Sequence, residues 1–119
     1  MGVRSHVLLL TNCGSAPYEV DGYPDLRLLD AERQPLEVAV VQGSGIVEDP
    51  GPTPLVVAPG EAVAASLSWR NRVEGVDPPP VTSGYVAVTV SPGEPAQVID
   101  KQVDIGTTGR VEITSWQRR

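Results

Sequence analysis

No stretch of this chain carries an apolar repeat of helical length. What recurs instead is a period of two. Val63, Ala65, Leu67 and Trp69 share one face of a run whose other face holds Ala64, Ser66, Ser68 and Arg70. Successive side chains of a strand point to opposite faces, so this run predicts a strand with one buried side. Leu36, Val38 and Val40 alternate in the same way, as do Val86, Val88 and Val90, and Leu26 and Leu28 about Arg27. Residues 18–20, 55–57 and 98–105, and Val111 with Ile113, read as further strands. The first strand is expected over residues 3–12. Val3, Ser5, Val7 and Leu9 fall on one of its faces, and Leu8 and Leu10 on the other. Apolar residues on both faces suggest an inner strand rather than a half-exposed edge.

Turn signals separate these runs. They are Asn12-Cys13-Gly14-Ser15, Asp21-Gly22 followed by Tyr23-Pro24, residues 30–34, Pro59-Gly60, residues 91–95 and residues 106–109. Pro followed by Gly is the signature of a type II turn. Gly and Pro number 12 each and are scattered between apolar runs, which marks turns rather than a disordered tract. Two connections are long: residues 42–53, and residues 71–84, where Pro78, Pro79 and Pro80 favour polyproline II. Roughly eight or nine short strands, with turns about every 8–12 residues, predict an all-β fold, an immunoglobulin-like β-sandwich. A small barrel is the alternative. With 119 residues, no repeat and no linker, residues 1–119 are expected to form one domain.

The formal net charge is −6. Basic residues adjoin only at Arg70 with Arg72 and at Arg118 with Arg119, so no face is expected to neutralise nucleic-acid phosphates. The same balance disfavours docking on an anionic membrane. No apolar run approaches the ~20 residues of a membrane-spanning helix, so no direct insertion is expected. Residues 1–6 lack the charged-then-apolar order of a signal segment. The single cysteine, Cys13, excludes an intramolecular disulfide and a cysteine-based zinc cluster.

No catalytic residue, cofactor or metal site is expected. His6 is the only histidine, and its neighbour Ser5 points to the opposite face of the strand, so the two cannot act as a catalytic pair. Asp25, Asp30, Glu48, Asp49, Asp77, Asp100 and Asp104 show no calcium-loop spacing. Glu48, Asp49 and Asp77 would meet a cation only if the two long loops converged. Cys13 has no histidine partner and reads as a turn thiol. Trp69 continues an apolar face and is expected in the core, whereas Trp116, near the chain end, reads as either buried or partly exposed. The candidate binding residues are Ile46, Val47, Glu48 and Asp49. Apolar side chains beside acidic ones on a long loop suit a small recognition patch. They suit equally a cap on one end of the sandwich.

The chain resembles an actinobacterial family, domain of unknown function 4232. The resemblance is carried by Leu8, Leu10, Thr11, Asn12 and Gly14, by Gly22-Tyr23-Pro24, and by Leu26, Leu28, Leu29 and Asp30. It continues through Ala58-Pro59-Gly60, Leu67 and Trp69, residues 86–90 and Pro92-Gly93. It implies a β-sandwich and an extracytoplasmic or cell-surface place, since members are typically exported proteins or lipoproteins, and it implies no chemistry. Members usually hold a cysteine where Tyr18 stands, with further cysteines downstream; this chain lacks them. A bridge is typically worth ~2–4 kcal/mol, so packing must hold this domain without one. The expected function is a non-enzymatic extracytoplasmic binding module whose partner is a protein or a cell-envelope component. The alternative is a structural accessory domain that assembles through an exposed strand edge, as a weak homodimer that dissociates on dilution.

Overall fold

The computed structural model describes residues 2–71, 81–91 and 93–118. Arg72, Asp77 and the Pro78 to Pro80 run lie outside the described residues. Among the described residues ten strands appear, in the order β1 (Val3–Thr11), β2 (Tyr18–Val20), β3 (Asp25–Leu29), β4 (Ala39–Gln42), β5 (Leu55–Val57), β6 (Ala62–Arg70), β7 (Val81–Thr89), β8 (Gln97–Gly106), β9 (Arg110–Ile113) and β10 (Gln117–Arg118).

The largest sheet runs β1-β6-β9-β4, with β10 also on β6. A second sheet runs β3-β7-β8, and β2 pairs with β5. The pairing is antiparallel except between β4 and β9. The sheets pack about one core. Leu67, Trp69 and Ile113 enter it from the largest sheet, Leu28, Val86 and Ile105 from the second, and Val20 and Val57 from the pair. The fold is therefore all-β, in keeping with a sandwich of immunoglobulin type.

The period of two is realised most fully in β6, where Val63, Ala65, Leu67 and Trp69 are all buried. The Pro59-Gly60 turn closes as expected. Glu61 N–H donates to the Ala58 carbonyl at 2.9 Å, and Gly60 takes φ 84°, the left-handed backbone that a type II turn requires.

Four expectations need correction. Among the described residues the first strand is an edge strand rather than an inner one, with β6 as its one ladder partner. Only its even positions turn to the core, leaving Val3, Val7 and Leu9 at 53%, 53% and 54% exposure. Apolar composition does not reveal how many neighbours a strand has, because pairing is non-local. The strand expected through Leu36, Val38 and Val40 begins only at Ala39. Leu36 N–H donates to the Leu28 carbonyl at the edge of β3, after which the chain crosses to pair with β9 in the other sheet, and that crossing interrupts the strand. The second long connection ends earlier than expected, since β7 starts at Val81. Val90 falls just beyond β7 and is half-buried.

Candidate functional site

The residues that make the chain recognisable do structural work. Asn12 closes β1. Its side-chain amide donates to the carbonyls of Ala16 and Val57, both at 2.8 Å, and its Oδ1 accepts from Gly14 N–H. Its backbone bonds Glu61 and Gly60 on the facing turn. A Cβ on Gly14 would stand 3.3 Å from Asn12 Oδ1, so a larger residue there would push on the Asn12 side chain. Gly22 accepts from Trp116 N–H, Tyr23 donates to Asp49 Oδ2 at 2.9 Å, and Pro24 is fully buried. The Tyr18 hydroxyl donates to Glu94 and bonds Ser91 Oγ, tying β2 to the turn after β7. Burial, then the bond to Glu94, raises the Tyr18 pKa.

The loop patch divides. Ile46 and Val47 are half-buried, and their N–H groups both donate to Ser44 Oγ. Ser44 Oγ and Gly45 N–H in turn donate to Glu112 on β9. Asp49 Oδ1 accepts from Gly51 N–H and from both the N–H and hydroxyl of Ser115. Desolvation pushes the Asp49 carboxyl up, but the bonds from Ser115, Gly51 and Tyr23 outweigh it and hold the pKa below its ordinary value. Glu112 is lowered likewise, desolvation being outweighed by bonds from Gly45 and Ser44 and by the charge of Arg110. Glu48 alone of the four stands exposed in solvent. Asp49 is engaged by Ser115 and Tyr23, while Ile46, Val47 and Glu48 keep part of their surface in solvent.

A different surface gathers apolar side chains. β1 ends one sheet and β8 ends the other, and side chains of the two strands meet along a seam. One end of the seam is closed by side chains. His6 Nε2 is 2.9 Å from the Gln102 carbonyl, Arg4 pairs with Asp104 at 3.3 Å, and Trp69 Nε1 donates to Asp104 Oδ1 at 3.2 Å. The His6 and Trp69 rings lie 5.1 Å apart. At the other end the edges part over a groove of about 290 Å³ walled by Leu8, Leu10, Val88, Ile99 and Trp116, with Lys101 also on its lining. A second hollow of about 300 Å³ shares Leu10 and Val90 with it and reaches Cys13, Tyr18 and Glu94. Trp116 is 3% exposed, and its indole N–H finds no acceptor among the described residues.

Sequence reasoning missed this groove, although a signal was present. Four consecutive apolar residues, Val7 to Leu10, make both faces of one strand apolar. Such a strand is either covered on both faces or exposes one of them. The second is the case here.

Cys13 is exposed and free in its turn, and Trp69 is 2% exposed in the core, both as expected. Among the described residues no group of three or more His, Cys, Asp or Glu side chains is placed to hold a metal ion, and no helix is long and apolar enough to cross a membrane.

The molecule is an all-β protein of packed sheets with an apolar groove between β1 and β8. Over residues 1–117 the chain matches the profile of a domain of unknown function, DUF4232, and it belongs to that family. No curated protein and no solved structure matches it.

Proposed function

We propose that this chain is a non-enzymatic extracytoplasmic interaction module that seats an extended apolar segment of a partner protein along the β1/β8 seam. The observation that carries the reading is the groove walled by Leu8, Leu10, Val88, Ile99 and Trp116, which lies beside a strand edge that is unpaired among the described residues. Extended peptides bind such places by adding main-chain bonds to the edge and dropping alternate side chains into pockets. The extracytoplasmic part of the reading rests on the family's usual location. The test is selection of the domain against a displayed library of alternating apolar peptides, followed by titration of a selected peptide into a Trp69→Phe variant. Trp116 emission should shift on binding, and Ile99→Lys should abolish binding while the fold, checked by circular dichroism, persists. Binding that leaves Trp116 emission unchanged and tolerates Ile99→Lys would place recognition elsewhere.

A second reading, an accessory domain that assembles through a strand edge, is favoured by β1 itself. It runs nine residues, and its outer edge has no ladder partner among the described residues.

A further inference from the structure

Natural sheets blunt their edges with short strands, charges, prolines and bulges. The other sheet-edge strands here are guarded in these ways. β4 has four residues. β3 has five, carries Asp25 and Arg27, and is covered at Leu28 and Leu29 by Leu36 and Pro35. β8 carries Asp100, Lys101 and Asp104, and its ladder with β7 slips register. β1 has none of these guards. It contains no Pro, Asp, Glu or Lys, and its Arg4 is engaged by Asp104.

The geometry points to a second copy of this chain as the occupant of that edge, its β1 running antiparallel to this one about a two-fold axis at Val7. The inference rests on the edge-assembly reading above and names its partner and register. Asn12 N–H bonds Glu61 and the Gly2 carbonyl bonds Asn71, so the even positions of β1 direct their backbone groups toward β6. The odd positions, Val3, Ser5, Val7, Leu9 and Thr11, therefore direct theirs outward. A two-fold at Val7 sets odd against odd: Val7 against itself, Ser5 against Leu9, Val3 against Thr11. Every outward backbone group of the strand then meets a partner. The exposed side chains Val3, Val7 and Leu9 join across the axis into one apolar stripe. Inside, Arg4 faces Leu10 and His6 faces Leu8, so no like charges oppose one another, and like charges directly opposite are what destabilise such pairs. The two sheets become one.

An interface of a single strand pair is small, at the low end for protein complexes, so the dimer is reversible. Each copy carries a net charge of −6, and added salt screens that repulsion. Association should therefore tighten with salt, whereas an interface held by ion pairs would loosen.

Sedimentation of a Cys13→Ser variant from about 10 µM to about 1 mM, a range suited to weak interfaces, should show a monomer–dimer equilibrium. Val7→Lys places two ammonium groups opposite each other at an exposed position and should weaken association roughly tenfold or more, with the melting midpoint of the monomer unchanged. In the Cys13→Ser background, Val7→Cys should give a disulfide-linked dimer on mild oxidation, since opposed Cα atoms of such a pair are about 5.5 Å apart. Val98→Cys, exposed on β8, should give none. A monomer at every concentration, or a dimer indifferent to Val7→Lys, overturns the proposal. If the chain stays monomeric while library-selected strands bind and are displaced by Val7→Lys, the second copy is wrong and the interaction-module reading stands. If neither occurs, both fall.

Discussion

Asp49 collects hydrogen bonds from Tyr23, Gly51 and Ser115 and thereby joins the long loop, the Gly-Tyr-Pro turn and the chain's last segment. Removing a hydrogen-bonded carboxylate leaves its donors unsatisfied, so Asp49→Ala should cost about 1–3 kcal/mol. Its folded pKa is depressed, so this stability is complete above the unfolded value, about pH 4, and is lost as pH falls through the folded value. Denaturant midpoints of the wild type and Asp49→Asn should therefore converge in acid; a gap that widens below pH about 4 would contradict the assignment. Asn12 and Cys13 make a second contrast at this scale. Asn12→Ala breaks side-chain bonds to Ala16, Val57 and Gly14 and should cost about 1–3 kcal/mol. Cys13 is exposed, and Cys13→Ser should stay within about 0.5 kcal/mol. Thermal melts of the two variants side by side check both.

β1 is an element with two unlike edges. The amides of Leu8 and Leu10 face β6, while those of Val7 and Leu9 face outward. Hydrogen exchange on dilute protein should alternate along the strand, slow at Leu8 and Leu10 and fast at Val7 and Leu9. Uniform protection in the monomer would mean that the edge is already covered. The loop between β4 and β5 is tied at both ends, by Ser44 to Glu112 and by Asp49 to Ser115. Ile46 and Val47 are half-buried between those ties. Replacing both by Ser should therefore lower the melting midpoint, by about 1 kcal/mol of stability for each. An unchanged midpoint with loss of partner capture would instead make them a recognition patch.

Across the whole molecule, one core without a disulfide carries the fold. Trp69 stands where the two sheets meet, packed in the core from β6, against the His6 ring from β1 and bonded to Asp104 from β8. Trp69→Ala should cost about 3–5 kcal/mol, a large part of the roughly 5–15 kcal/mol that holds a domain together. Urea unfolding followed by Trp116 fluorescence measures it. A loss below about 1 kcal/mol would show that the seam closes without the indole.

Much of this architecture was legible from local pattern. Strand periodicity is a property of consecutive residues, so the faces of β6 and β3 and the burial of Trp69 could be read directly. Turn chemistry is local too, which is why Pro59-Gly60 and the Asn12-Cys13-Gly14 turn fall where the residues place them. The candidate site was not legible in the same way. The contacts of the loop holding Ile46 to Asp49 are invisible in its own sequence, since Ser115 and Tyr23 bond Asp49 from far along the chain. The four apolar residues of Val7 to Leu10 were visible, but whether they lay inside a sheet or at its rim depended on which strands pair. The sequence by itself determined the all-β class, the alternation and the turns, because these follow from short-range sterics and burial. Only the tertiary structure decided that β1 has a single neighbour among the described residues and that a groove opens beside it, because strand order is settled by contacts between residues distant in the chain.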